Sequence, residues 1–199
     1  MTTIKTAFGS LSLTRNSLWS LFGLLLGLGF FAVSGTIAYR NIQTLRESDL
    51  AVRHTHSVLI ALDELLSTAQ DAETGQRGYL LTGTQAYLEP YNSAVAALTA
   101  RMNTVAALTQ DNPAQQANVT VLKRHVDAKL AELRETVDLR RAKGVAAALE
   151  VVTTDRGKME MDAVRAQLAN MAQEELRLCD AAQDDFGDPL GIFRLNHLA

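Results

Sequence analysis

Apolar residues recur three and four positions apart over most of the chain, the period of a helix that buries one face. The first such stripe includes Val58 or Leu59, Leu62, Leu65, Leu66 and Ala69. A second follows at Tyr91, Val95, Leu98, Met102 and Val105, and a third at Val119, Leu122, Val126, Leu130, Leu133 and Val137. The fourth starts at Val145, Leu149 and Val152, loses the pattern at Asp155 and Arg156, and resumes at Met159, Val164, Leu168 and Met171. Narrow stripes joined by short turns predict an all-α fold, an antiparallel four-helix bundle over residues 40–182. The punctuation agrees: Gly83 closes the first helix, Pro90 sets a start or kink near Glu89, and Gly144 breaks the third. Asn112 is placed to cap the third helix, with Pro113 at its first helical position.

Ahead of the bundle the pattern changes kind. Residues 16–39 carry no charged side chain, and 18–38 are long and apolar enough to cross a bilayer at about 20 residues per span. Trp19 and Tyr39 stand at the ends, where amphipathic rings favour the interface. This predicts a segment 1–17, a transmembrane helix 18–38 that continues into the bundle, and an irregular tail 183–199. Thr36-Ile37-Ala38 also fits a small-x-small cleavage site loosely, but a signal peptide's apolar core is usually about 7–15 residues, and this one is longer. Basic residues on both sides leave the orientation open on charge alone: Lys5 and Arg15 precede the span, and Arg40, Arg46 and Arg53 follow it. Gly23 and Gly27, four apart, suit packing of span against span as well as an ordinary membrane helix.

The least repetitive stretch of the chain is 71–91, DAETGQRGYLLTGTQAYLEPY. Continuing the first stripe lands on Glu73 and Gln76 before it turns apolar again at Leu80. Gly75 and Gly78 sit in the same turns, although each glycine costs a helix about 1 kcal/mol relative to alanine. At about 1.5 Å rise per residue this polar interruption falls roughly level with residues 149–156 of the fourth helix. Arg77 is therefore expected to pair with Asp155 or Glu160, while Glu73 or Gln76 bonds across the same layer. The alternative is that these residues present a ligand surface to solvent.

Composition narrows the function. All 22 acidic residues follow residue 40, against 16 of the 19 basic ones, so that part carries a net charge of −6 (16 − 22) and suits nucleic acid poorly. Cys179 is the single cysteine, which excludes an intrachain disulfide. His54 and His56 lie two apart, as do Asp71 and Glu73, so neither pair shares a helix face as a metal or acid/base couple would. No glycine loop follows a strand to cradle phosphate. The sequence thus predicts no enzyme, no cofactor and no metal.

The run ETGQRGYLLTG (73–83), followed by YL-x-PY (87–91), resembles the signature of the third class of CHASE domains. These are extracytoplasmic sensory modules placed before bacterial histidine kinases, diguanylate cyclases and chemotaxis receptors. The resemblance continues through DNPAQQ (111–116), KLAELRETVDLRRAKG (129–144) and TDRGKMEMDAVR (154–165), and covers roughly 42–178. It implies the sensory module of a receptor, with the N-terminus cytoplasmic, one pass through the inner membrane, and a periplasmic or extracellular bundle. It further implies homodimerisation and an unknown small-molecule or protein ligand. Such a receptor needs a second span and an output domain, yet no uncharged run after Met171 exceeds five residues. The chain therefore reads as cut off before them. A helical adaptor and a non-functional remnant remain the other readings.

Overall fold

The computed structural model describes residues 15–187. Among them the structure is all-helical: α1 (Arg15–Thr82), a 3-10 turn (Gln85–Tyr87), α2 (Leu88–Leu108), α3 (Pro113–Lys143), α4 (Val145–Val152) and α5 (Arg156–Gly187). The expected segment before residue 15 and the tail beyond 187 lie outside the described residues. The chain divides into two compact units, Met1–Glu47 and Ser48–Ala199.

In the first unit, Trp19–Arg40 is long and apolar enough to cross a membrane. Its large side chains are exposed on every side, Leu25, Phe31 and Val33 among them. A helix that is apolar all round has no polar face to give to water.

The second unit is the bundle. Its larger core joins Val58, Leu62 and Leu65 of α1 to Leu98 and Val105 of α2, Leu122 and Val126 of α3, and Met161, Val164, Leu168 and Met171 of α5. A smaller core joins Ala72, Tyr79 and Leu80 to Leu88 and Tyr91, Leu133 and Val137, and Ala148 of α4. Antiparallel packing of α3 on α5 is fixed by pairs whose numbers run in opposite directions. Gln115 bonds the Met171 carbonyl and Glu175, Asn118 meets Gln167, and His125 meets Glu160.

The predicted ends hold. The Asn112 side chain accepts from the Ala114 and Gln115 amides at 3.0 and 3.2 Å, with Pro113 opening α3. Gly83 and Gly144 take φ of 72° and 87°, a region only glycine enters freely. Pro90 stands in the first turn of α2, where its missing N–H costs nothing.

The fourth helix corrects the expectation of one long element. It is two helices, α4 and α5, separated at 153–155, where Asp155 has a φ of 59°. Aspartate tolerates this left-handed conformation better than most residues. The lost rhythm at Asp155 and Arg156 therefore marks a chain break, not a polar turn inside a helix. After it, α5 runs past 182 to Gly187.

Candidate functional site

Two glycines explain how the polar stretch is held. A methyl group on Gly75 would lie 2.8 Å from the Tyr91 amide nitrogen and 2.9 Å from the Tyr87 carbonyl oxygen. Gly78 faces the Tyr87 ring closely enough that a side chain there would overlap it. Three residues apart, they form one bare face of α1 on which the turn into α2 lies backbone to backbone. That close approach offsets the helix propensity both positions forgo.

The opposite consequence of the same turns is a buried polar layer. Glu73 and Gln76 are buried, as are Lys129, Glu132 and Thr136 on α3. The Lys129 ammonium donates to Glu73 Oε1 at 3.0 Å and to Glu132 Oε2 at 3.1 Å. Gln76 Nε2 donates to Thr136 Oγ1 at 2.7 Å, and that hydroxyl donates to the Leu133 carbonyl at 2.9 Å. The contacts advance in the same direction on both helices, so α1 and α3 run parallel and meet across the bundle. Burial of such charges is tolerable only with partners, and among the described residues no buried side-chain polar atom lacks one.

This layer is not the one the sequence predicted. Arg77 is exposed and donates to Glu73 Oε1 at 3.0 Å, four residues back on its own helix, not to the fourth helix. Glu160 pairs instead with His125 at 2.9 Å. Asp155 is exposed at the α4–α5 break. The cross-bundle partners of the motif come from α3: Lys129, Glu132 and Thr136. A signal for Lys129 existed, because it stands three residues after Val126 and four before Leu133, on the apolar stripe itself.

A cavity of about 510 Å³ opens over the layer. Glu73, Gln76, Lys129, Glu132 and Met161 line it from the buried side. Leu80 and Leu81 of α1, with Leu149 and Val152 of α4, form apolar walls, and the last three are exposed. Around the mouth stand Arg77, Asp155, Lys158, Asp162 and Arg165. The cavity thus gathers Glu73, Gln76, Arg77 and Asp155 but not Glu160. Lys158 and Arg165 both donate to Asp162, at 2.7 and 2.9 Å. The hydrogen bond from Lys158 is the main cause that holds the Asp162 carboxyl below its ordinary value, and it raises Lys158 in return. Gly157 lets the first turn of α5 close on Glu132, since any side chain there would overlap that carboxylate. The positive end of a helix is a favourable neighbour for it. No group of three or more metal-ligating side chains occurs among the described residues.

Comparison with known proteins agrees with this architecture. Residues 48–185 match the CHASE3 domain family. The sensor domain of the histidine kinase HK9 from Rhodopseudomonas palustris, known from a crystal structure, superposes with a TM-score of 0.58 at 29% identity. The match covers 62% of this chain and 96% of that one. No curated protein matches the chain.

Proposed function

We propose that this chain, which belongs to the CHASE3 domain family, is a membrane-anchored sensory module that passes a stimulus on through movement of its helices. CHASE3 domains are sensory, and the neighbouring solved structure is the sensor domain of a histidine kinase. The finer reading places the N-terminus in the cytoplasm of a bacterium, the stretch Trp19–Arg40 in the inner membrane, and the bundle in the periplasm or outside the cell. The anchor rests on that stretch being long and apolar with no protein cover.

The observation that carries the helix-movement reading is the buried Glu73–Lys129–Glu132 cluster beside an open cavity. Buried ion pairs contribute little net stability, because desolvation consumes the Coulombic gain. What such a cluster does well is fix one register between α1 and α3. An occupant that interacts differently with two registers shifts their populations, and that is all a receptor needs. We expect the module to act as a homodimer, with signals passed by paired helices.

Three experiments test this. A reporter fused after Ala182 should be active only outside the cytoplasm; a cytoplasmic reporter active at that site overturns the orientation. A chimera joining the chain to a second span and a kinase output domain should change its basal output when Gln76→Leu and Thr136→Val are combined. That double change removes one cross-bundle contact without leaving an orphaned polar group. Unchanged output in a chimera that folds and inserts would sink the register mechanism. Sedimentation of the detergent-solubilised chain as a strict monomer at high concentration would remove the dimer.

A further inference from the structure

The buried side of the cavity is charged unevenly. Glu73 and Glu132 face a single ammonium, that of Lys129, so the floor carries a formal charge of −1. Arg77 compensates Glu73 only from an exposed, water-screened position. The hydrogen bonds are uneven too. Lys129 and Arg77 both donate to Glu73 Oε1, and Lys129 donates to Glu132 Oε2. Among the described residues no group donates to Glu132 Oε1 or Glu73 Oε2; since no fully buried side-chain polar atom lacks a partner, both oxygens open onto the cavity that their carboxylates line. The cations stand at the exposed mouth instead, Lys158 and Arg165 on Asp162 and Arg77 on Glu73, where water screens their charge. The lining as a whole is neutral, four carboxylates against four cations, and what its buried floor leaves open is acceptor capacity, beneath walls of Leu80, Leu149 and Val152.

We propose that this cavity receives a small organic amine, a monocation with one primary ammonium on a compact apolar body. The assignment deepens the sensory reading and rests on it for the cavity's role as the receiving site. The ammonium donates to the open carboxylate oxygens of Glu132 and Glu73, which brings the floor to neutrality: two carboxylates, two ammonium groups. The body replaces water against the apolar walls. A neutral analogue keeps only the second gain. A carboxylate of the same shape meets like charge at the floor and finds cations only at the exposed mouth, where water screens them. Because the amine touches α1, α3 and α4 at once, its arrival bears on the same contacts that set the register.

The test uses the full chain in detergent micelles and three isosteric probes: cyclohexylmethylamine, cyclohexylmethanol and cyclohexanecarboxylate. Titration calorimetry at neutral pH should rank them amine, alcohol, carboxylate, with the amine at least about tenfold tighter than the alcohol, as for a charge-assisted hydrogen bond. Glu132→Gln should weaken the amine at least about tenfold and leave the alcohol unchanged. Should that variant fold poorly, Val152→Trp on the exposed apolar wall should block the amine while the melting temperature stays the same. Equal affinity for amine and alcohol, tightest binding of the carboxylate, or an amine indifferent to both substitutions overturns the proposal. The kinase chimera separates it from the reading beneath it. Amine binding without any change in kinase output retains the site and refutes the sensory role assigned to it. Output that follows some other stimulus, with no amine bound, retains the sensory role and refutes the amine site.

Discussion

The two cores of the bundle are built on different terms. The larger one is closed by aliphatic side chains from α1, α2, α3 and α5, and Leu65, Val105, Leu122 and Met171 are fully buried in it. The smaller one, a few turns along α1 and α3, shares its layer with Glu73, Gln76, Lys129, Glu132 and Thr136. It also depends on two glycine contacts and has a cavity beside it. Burying aliphatic groups stabilises in proportion to area and specifies register weakly, because one leucine replaces another. A charge cluster does the reverse: its net contribution is small, but each member has one acceptable position. The large core therefore holds the bundle together, and the small one determines which arrangement of helices is held.

Single substitutions should reveal that division. The largest effect is expected at Lys129→Met, which leaves two carboxylates buried without their ammonium and should cost about 3–5 kcal/mol in thermal or urea unfolding. Replacing the whole cluster, with Glu73→Leu and Glu132→Leu added, should recover most of that loss. A triple variant no more stable than the single one would mean the cluster is a net source of stability. In the large core Leu122→Ala should cost about 2–5 kcal/mol, and no second substitution nearby should rescue it without refilling the volume.

How much of this was legible depends on whether the signal was local. Asn112, Pro113, Gly83 and Gly144 mark helix ends by their own backbone chemistry, so reading them needs no knowledge of neighbours. The polar turns at Glu73 and Gln76 were visible as gaps in a stripe. Their partners were not, because periodicity shows which face of a helix is buried and not which helix it meets. Arg77 adjoins Gln76 in the motif, but one residue is about 100° of helix rotation, enough to carry it to solvent. Lys129 was hidden for the converse reason: Leu130 beside it satisfied the apolar count. The gap at Asp155 is ambiguous in sequence, since a left-handed residue between two helices and a polar turn within one interrupt a stripe in the same way.

The glycine face gives the next smaller effect. Gly75→Ala pushes a methyl group into the backbone of Tyr87 and Tyr91, which cannot turn aside, and should cost about 1–3 kcal/mol. Gly78→Ala meets the half-exposed Tyr87 ring, which can, and should cost less. Equal losses at the two positions would show that the turn as a whole has shifted. Tyr91 adds a pH dependence. Burial raises its phenol above the ordinary 10.0, against which the Arg134 charge acts to lower it. The unfolded chain therefore ionises first, and stability present below pH 10 is lost as pH rises through the folded value. Tyr91→Phe should flatten that alkaline loss in equilibrium unfolding measured between pH 9 and 11.

The smallest effect is expected at the residue most prominent in the motif. Arg77 is two-thirds exposed, and its bond to Glu73 is an i, i+4 contact on one helix. Such pairs contribute about 0.3–0.5 kcal/mol, and salt screens them. Arg77→Met should thus lower stability by no more than about 0.5 kcal/mol, even though the Glu73 it contacts belongs to the buried cluster. Lys129 donates to the same oxygen, so Glu73 retains a partner when the guanidinium is gone. A double-mutant cycle on Arg77→Met and Lys129→Met measures whether the two cations act together. Coupling beneath about 0.5 kcal/mol places Arg77 at the mouth of the cavity as a surface group. Coupling above about 1 kcal/mol would make it a fourth member of the buried cluster, and the uneven charge beneath the cavity would then be balanced from within the chain.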